Sequence, residues 1–310
     1  MIIVTGAAGF IGKQLVRYLL DRTQHTIVGL DNLHHGDWRE SPSSERLSFI
    51  KGDVRDTDLL RRVFPEAEIV FHLAAQAHVM ESVRDPDYTF SSNVIGTLGV
   101  LQAAREAGVK HVVFTSSREV YGEPEQLPVP ETSPLVPKNP YGASKIAGEA
   151  YCRLFNGGSV RVSIVRLANV YGPGDHDRVV PIFIERALRG LPLVIHGGRQ
   201  VIDFVSVGTV VEALWQVACR PTGEPINIGS GMGVTLPELA TRIIRETGSQ
   251  SKVEIGPAHE EEVVQFVADV SRMHSDLGIG PPSDPLFELP AQLGWDQASV
   301  SVPVASEDAR

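Results

Sequence analysis

A doubly wound α/β fold, one parallel sheet with helices on both faces, is predicted by two observations. Short β-rich apolar runs alternate with helical patterns through the first half of the chain. Those runs are near-continuously apolar, as strands buried on both faces must be. The length of 310 residues suits one such large domain together with a smaller lobe. In chain order, the expected elements begin with strand Ile2–Val4, helix Ile11–Leu20 and strands Thr26–Leu30 and Leu47–Ile50. Helix Asp58–Phe64 and strand Ile69–His72 follow, then a long helix Ser91–Gly108 with Gly108 placed to end it as a C-cap glycine. Strand His111–Thr115, helix Tyr141–Phe155 and strand Val160–Arg166 extend the sheet. From about Tyr171 the pattern loosens, with more proline and shorter elements. The expected division is therefore a large domain over 1–170, part of the later chain returning to it, and a smaller, interleaved α/β lobe over 171–300.

Composition narrows the function classes. Hydrophobic content of 42% and charged content of 21% are those of a soluble globular chain. A net charge of −10 argues against nucleic acid as a partner, because phosphate backbones are bound by clustered Lys and Arg. Cys152 and Cys219 are too few for a disulfide framework and suit a reducing compartment. Neither has metal-ligand spacing around it, so no metal is expected. No apolar run approaches a membrane span. The opening "MIIVTG" becomes glycine-rich too soon for a secretion signal. A cytoplasmic location with no membrane partner is the expectation.

The stretch "VTGAAGFIG" sets Gly6, Gly9 and Gly12 between a strand and a helix. Glycines there permit a tight turn and let backbone N–H groups of the helix start approach a pyrophosphate, with Phe10 and Ile11 inside the same turn. The second strand leads into Asp31, nineteen residues after Gly12. A carboxylate at that point accepts hydrogen bonds from both adenosine ribose hydroxyls and repels a 2′-phosphate. Asn32, and no arginine, follows it. The expected dinucleotide is NAD, in a Rossmann-type domain. "GDV" after the third strand offers Asp53 and Val54 to the adenine. "HLAA" closes the fourth strand with Leu73, Ala74 and Ala75, small enough for a cofactor to lie close. His72 and His78 read as core or rim packing.

"YGASK" places Tyr141 and Lys145 four residues apart, on one helix face, and twenty-four residues after Ser117. A lysine ammonium beside a phenol favours the phenolate and is expected to lower the tyrosine pKa. With "TGAAGFIG", Asp31, "GDV", "HLAA", Asn93 in "NVIGT", "SSREVYG" and "RLANVYGPG", the chain resembles the extended short-chain dehydrogenase/reductase family, of the nucleotide-sugar epimerase and dehydratase (UDP-glucose 4-epimerase) type. The resemblance covers nearly the whole chain. It implies a tightly held NAD that oxidises a sugar hydroxyl and later returns the hydride. In that reading Tyr141 is the base at the 4-hydroxyl, Lys145 its electrostatic partner and a ribose ligand, and Ser117 a hydrogen-bond donor to the same oxygen. Asn93 joins the cofactor residues and Asn169 lies near the diphosphate or sugar. A homodimer, packed through the helices around Ser91–Gly108 and Tyr141–Phe155, is implied as well.

The three residues before "VYG" separate the branches. In this family's 4,6-dehydratases they resemble Thr-Asp-Glu, the glutamate removing the carbon-5 proton and the aspartate protonating the leaving 6-hydroxyl. Here they are Ser117, Arg118 and Glu119. Glu119 keeps the carboxylate, but a guanidinium is a poor proton donor at neutral pH. Arg118 could instead fork onto the carboxylate of a hexuronic acid. The expected activity is 4-epimerisation of a UDP-hexose or UDP-hexuronic acid through a 4-keto intermediate. The alternatives are a dehydratase or decarboxylase using Glu119, and a non-catalytic NAD-binding protein. The pattern departs from the family at two arginines that normally grip the diphosphate, their positions holding Ile202 and His259. A family tyrosine is Ser206 and a family acid is Gly208. Arg199 and Arg178 are the candidate substitutes.

Overall fold

The computed structural model describes residues 1–39, 41–258, 261 and 263–300, the last six as backbone alone. Its centre is a seven-stranded sheet in which every pairing is parallel. The first six strands in the chain are β1 (Ile2–Thr5), β2 (Ile27–Asp31), β3 (Leu47–Lys51), β4 (Ile69–His72), β5 (His111–Ser117) and β6 (Arg161–Leu167). The helices between them are α1 (Phe10–Arg22), α2 (Thr57–Val63), α3 (Val79–Arg84), α4 (Pro86–Phe90), α5 (Gly96–Glu106) and α6 (Pro140–Phe155). This is the doubly wound sheet that the apolar runs predict. All four residues of β1 and all seven of β5 are buried, so neither strand alternates.

The expected helix Ser91–Gly108 is helical as far as Glu106, and the helical run begins earlier than expected, at Pro86. A wider π-helical turn, Ser91–Ile95, separates α4 from α5. That turn carries Asn93, whose side chain is tied to the backbone of Gln76 and to Ser144. Gly108 does close the helix in a left-handed conformation, φ +71°.

The second half of the chain contributes α7 (Val179–Leu188), α8 (Val207–Cys219), α9 (Leu236–Thr247), α10 (Ser271–Leu277) and α11 (Leu289–Val300). Its strands are β7 (Asn169–Tyr171), β8 (Leu193–His196), β9 (Val201–Ser206), β10 (Ile226–Ile228), β11 (Gly233–Thr235), β12 (Val253–Gly256) and β13 (Gln265–Phe266). β10 returns to the large sheet and pairs with β6, completing the order β3-β2-β1-β4-β5-β6-β10. One face of that sheet is covered by α1 and α8, the other by α2, α5 and α6. A third apolar cluster, built around Phe183, Ile184, Phe204, Leu239 and Ile243, holds α7 and α9 to β8 and β9. This smaller lobe sits over the carboxyl ends of the large sheet's strands, the edge at which open α/β sheets bind ligands.

Candidate active site

A cleft of about 1060 Å³ runs along that edge, lined by both the large sheet and the smaller lobe. Its cofactor end begins where β1 stops. Gly6 has φ +74°, and a side-chain carbon there would lie 2.7 Å from the backbone nitrogen of Ala74. At Gly12 an added carbon would meet the Gly6 carbonyl oxygen at 2.0 Å. Both glycines are thus demanded by close backbone approach. α1 starts at Gly9 with no side-chain cap and no acidic residue in its first turn. Its N-terminal N–H groups are therefore left for an anion, and the site suits the pyrophosphate of a dinucleotide.

Asp31 ends β2 with both carboxylate oxygens fixed, Oδ2 accepting from Ala8 N (3.0 Å) and Oδ1 from Leu33 N (2.8 Å). Burial raises its pKa, and the two backbone donors work against that rise. Phe10, Ile11, Asn32, Val54, Leu73, Ala74 and Ala75 line the cleft with it.

Two expected cofactor residues stand behind the wall instead. Asp53 accepts from Arg55 (2.7 Å) and from Asn32 Nδ2 (2.9 Å), and the guanidinium holds its carboxyl well below the usual range. It therefore orients Asn32. Asn93 is buried, with Oδ1 accepting from Gln76 N (2.7 Å) and Nδ2 donating to Gln76 O and Ser144 Oγ (both 2.9 Å). Its polar atoms pin the loop after β4 to α6. His72 is a core histidine, held between Thr5 and Thr97 and lowered to about 3 by burial.

At the other end, β5 delivers Ser117 and a 3₁₀ turn carries Arg118 and Glu119. Asn139 caps α6 by accepting from Gly142 N (2.8 Å), and Pro140 fixes the first turn. That start sets the phase of the helix and turns Tyr141 and Lys145 toward the cleft. The Ser117 hydroxyl is hydrogen-bonded to the Tyr141 phenol. The electrostatics correct the expectation for the pair. Burial pushes Tyr141 up to about 12, only partly offset by Ser117, and burial pushes Lys145 down to about 8. Lys145 Nζ donates to the Thr115 carbonyl (2.8 Å) and sits 5.8 Å from the Tyr141 ring centroid. The ammonium faces a carbonyl, and for the phenol the loss of water outweighs the Ser117 hydrogen bond and the charges of Arg178 and Arg118.

Arg118 and Glu119 are engaged with each other. Arg118 Nη2 lies 3.0 Å from Glu119 Oε1, their side chains 13% and 6% exposed. Glu119 Oε2 accepts from Asn139 Nδ2 (2.8 Å). The guanidinium also lies 5.9 Å from the Phe266 ring centroid. Both carboxylate oxygens thus have partners from the chain, and the fork foreseen for a substrate carboxylate already faces Glu119. Ser116 serves structure, donating to Glu149 (2.7 Å), which Arg166 also grips (2.7 and 2.8 Å).

On the smaller-lobe side, Asn169 lines the cleft and its buried Oδ1 has no hydrogen-bond partner. Arg199 is exposed and does not line the cleft, because it follows the Gly197–Gly198 bend at the surface. From this lobe Arg178, the cap of α7, and Arg186 within it do line the cleft, facing Arg17, Arg84 and Arg118 of the large domain's side. Ile202 is an apolar part of the wall, 8% exposed. His259 lies outside the described residues. Glu288 supplies the acid absent at Gly208, its carboxylate bonded to Gly208 N and the Ser206 hydroxyl. A side chain on residue 208 would meet Glu288 Oε1 at 2.6 Å. Among the described residues no group of His, Cys, Asp or Glu is placed to hold a metal, and no helix is long and apolar enough to cross a membrane.

Comparison with known proteins agrees with this geometry. Residues 2–229 match the NAD dependent epimerase/dehydratase family. A UDP-glucose 4-epimerase of Mycolicibacterium smegmatis is 38% identical over 292 residues, covering 90% of this chain and 93% of that protein. The crystal structure of a UDP-glucose 4-epimerase from Thermotoga maritima, solved with UDP-glucose, superposes with a TM-score of 0.92 at 33% identity, over 96% of this chain and 99% of that one. The dTDP-glucose 4,6-dehydratase DesIV of Streptomyces venezuelae, solved with NAD bound, gives a TM-score of 0.90 at 30% identity, over 96% and 97%. With its glycine turn, Asp31 and its Ser–Tyr–Lys set lining one cleft, the chain is an enzyme of the NAD-dependent epimerase/dehydratase family.

Proposed function

We propose that the protein interconverts the 4-epimers of a UDP-hexose, acting in the cytoplasm as a homodimer. Bound NAD supplies a hydride acceptor that returns the same hydride to the sugar. Gly6, Gly12 and the start of α1 would hold its pyrophosphate and Asp31 its adenosine ribose. As its phenolate, which the positive charges of Lys145 and of bound NAD would favour against the burial that raises its pKa, Tyr141 takes the proton of the 4-hydroxyl and gives it back to the 4-keto sugar once that sugar has turned its other face. Ser117 holds the same oxygen, and Lys145 supplies positive charge on the far side of the phenol. Asn169 Oδ1, buried and unpartnered, accepts from a hydroxyl of the substrate. The volume of the cleft, about 1060 Å³, leaves room for the sugar to rotate. Exposed Phe90, Ile95 and Leu154 on or beside α4 to α6 support a dimer contact there.

The observation that carries epimerisation over dehydration is the double engagement of Glu119. A carboxylate that is to remove the carbon-5 proton needs an oxygen free to face it, and here Arg118 and Asn139 hold one oxygen each. The test incubates the protein with UDP-glucose and UDP-galactose in D₂O and follows the products by NMR. Equilibration of the pair without deuterium at carbon 5, retained in Glu119→Gln, supports the reading. A 4-keto-6-deoxy product that disappears in Glu119→Gln would favour the dehydratase.

A further inference from the structure

Between β7 and α7 the chain runs for seven residues, Gly172–Arg178, between the two walls of the cofactor end of the cleft. On one side it is tied to the first turns of α1. Gln14 Nε2 donates to the Pro173 carbonyl at 2.7 Å, and the Arg178 guanidinium lies 5.5 Å from the Phe10 ring centroid. Gly174, at φ +94°, is so close to α1 that a side-chain carbon would stand 3.3 Å from Gln14 Nε2. On the other side it is tied to the loop after β4, where His78 Nε2 lies 3.0 Å from Asp177 Oδ2. Those two anchors flank the glycine turn, since Gly6 packs against Ala74 of the same loop. Gly174–Arg178 line the same cleft as that turn, so a dinucleotide seated there would lie against the segment.

We propose that Gly172–Arg178 is a strap that retains the dinucleotide, and that His78 is the positioning residue that latches it by pairing with Asp177. The inference rests on NAD binding and not on the sugar chemistry. The latch needs a charged imidazole. Asp177 and Glu81 favour the cation, and the hydrogen bond to Asp177 outweighs burial and the opposing charge of Arg178, so the His78 pKa is raised. The ring of His35, 5.2 Å away and paired with Glu81 at 3.0 Å, also faces it. Because the folded-state pKa is raised, the ion pair is complete at and below the ordinary histidine value of about 6.5. It is lost as pH rises through the elevated value, and the strap then loosens.

The experiment loads the protein with NADH and mixes it with excess NAD. NADH release is then followed by its fluorescence from pH 5.5 to pH 9. Because the pair is partly exposed, its rupture is expected to speed release by about three- to tenfold across that range. His78→Ala and Asp177→Asn are expected to release at the fast rate at every pH, the double variant no faster. His78→Lys keeps a cation, so release should stay slow up to pH 9, its step moved above that range. Single variants that release as slowly as the parent and keep its step would overturn the latch, as would a lysine variant with an unmoved step. Failure of NADH to bind at all would overturn the cofactor seat and the strap together. Absence of epimerase activity with the release pattern intact would leave the strap standing.

Discussion

Replacing Lys145 by methionine should abolish turnover and yet stabilise the NAD-free protein near neutral pH. The ammonium is 3% exposed and burial lowers its pKa from the ordinary 10.5 to about 8. At about 1.4 kcal/mol for each tenfold change, holding that charge inside costs the fold about 3 kcal/mol at pH 7. Methionine carries no charge and can lie against the Phe114 ring, whose centroid is 5.0 Å from Nζ. It forfeits the hydrogen bond to Thr115 O, worth about 1 kcal/mol. The net gain for Lys145→Met is about 2 kcal/mol at pH 7. The sign then depends on pH. A lysine with a depressed folded-state pKa destabilises below that value, and the penalty fades as pH rises toward the unfolded value. Between about pH 8 and pH 10 the unfolded chain binds the extra proton, so the parent gains stability and the variant does not. Urea unfolding of the two NAD-free proteins at pH 7 and pH 10 is the assay. The advantage of the variant is expected at pH 7 and should shrink to near zero at pH 10. A variant less stable at pH 7, or a difference that does not move with pH, would refute the assignment of Lys145 as a desolvated charge.

Two further outcomes follow from single contacts. Tyr141→Phe removes the phenol that is hydrogen-bonded to Ser117 and should lower kcat by about 10²- to 10⁴-fold while NAD binding, read by fluorescence titration, is kept. Glu288→Ala strips the acceptor from Gly208 N and from the Ser206 hydroxyl at the start of α8. It should cost about 1 kcal/mol in urea unfolding, with the slope of the transition unchanged.

Many of the residues that line the cleft were legible because their signals are local. Gly6, Gly9 and Gly12 belong to one strand–turn–helix, and Tyr141 and Lys145 to two successive turns of one helix. Arg118 and Asp53 were harder. The residue types were readable, but the direction of each side chain was decided by neighbours. Arg118 turns to the adjacent Glu119, its guanidinium beside the Phe266 ring, while Asn139 holds the other oxygen of Glu119. Asp53 turns to Arg55 and Asn32. Asn93, expected to join the cofactor residues, has both its side-chain polar atoms engaged in three hydrogen bonds to Gln76 and Ser144. Arg199 looked available on charge alone, and its place on an exposed bend takes it off the cleft wall.

By itself the sequence determined the doubly wound sheet, the dinucleotide turn and the identity of the Ser–Tyr–Lys set. The first two depend on periodicity and on residues within a few turns of one another, and the third on the spacing of Tyr141 and Lys145 together with the family resemblance that points to Ser117. Tertiary structure alone decided the strengths and pairings. It set the phenol at about 12 and the lysine at about 8 by closing water out of both. It brought Glu288 to Gly208 and Asp177 to His78, pairs that stand far apart in the chain. Burial and cross-lobe contact are properties of the packed molecule, and no short window of residues encodes them.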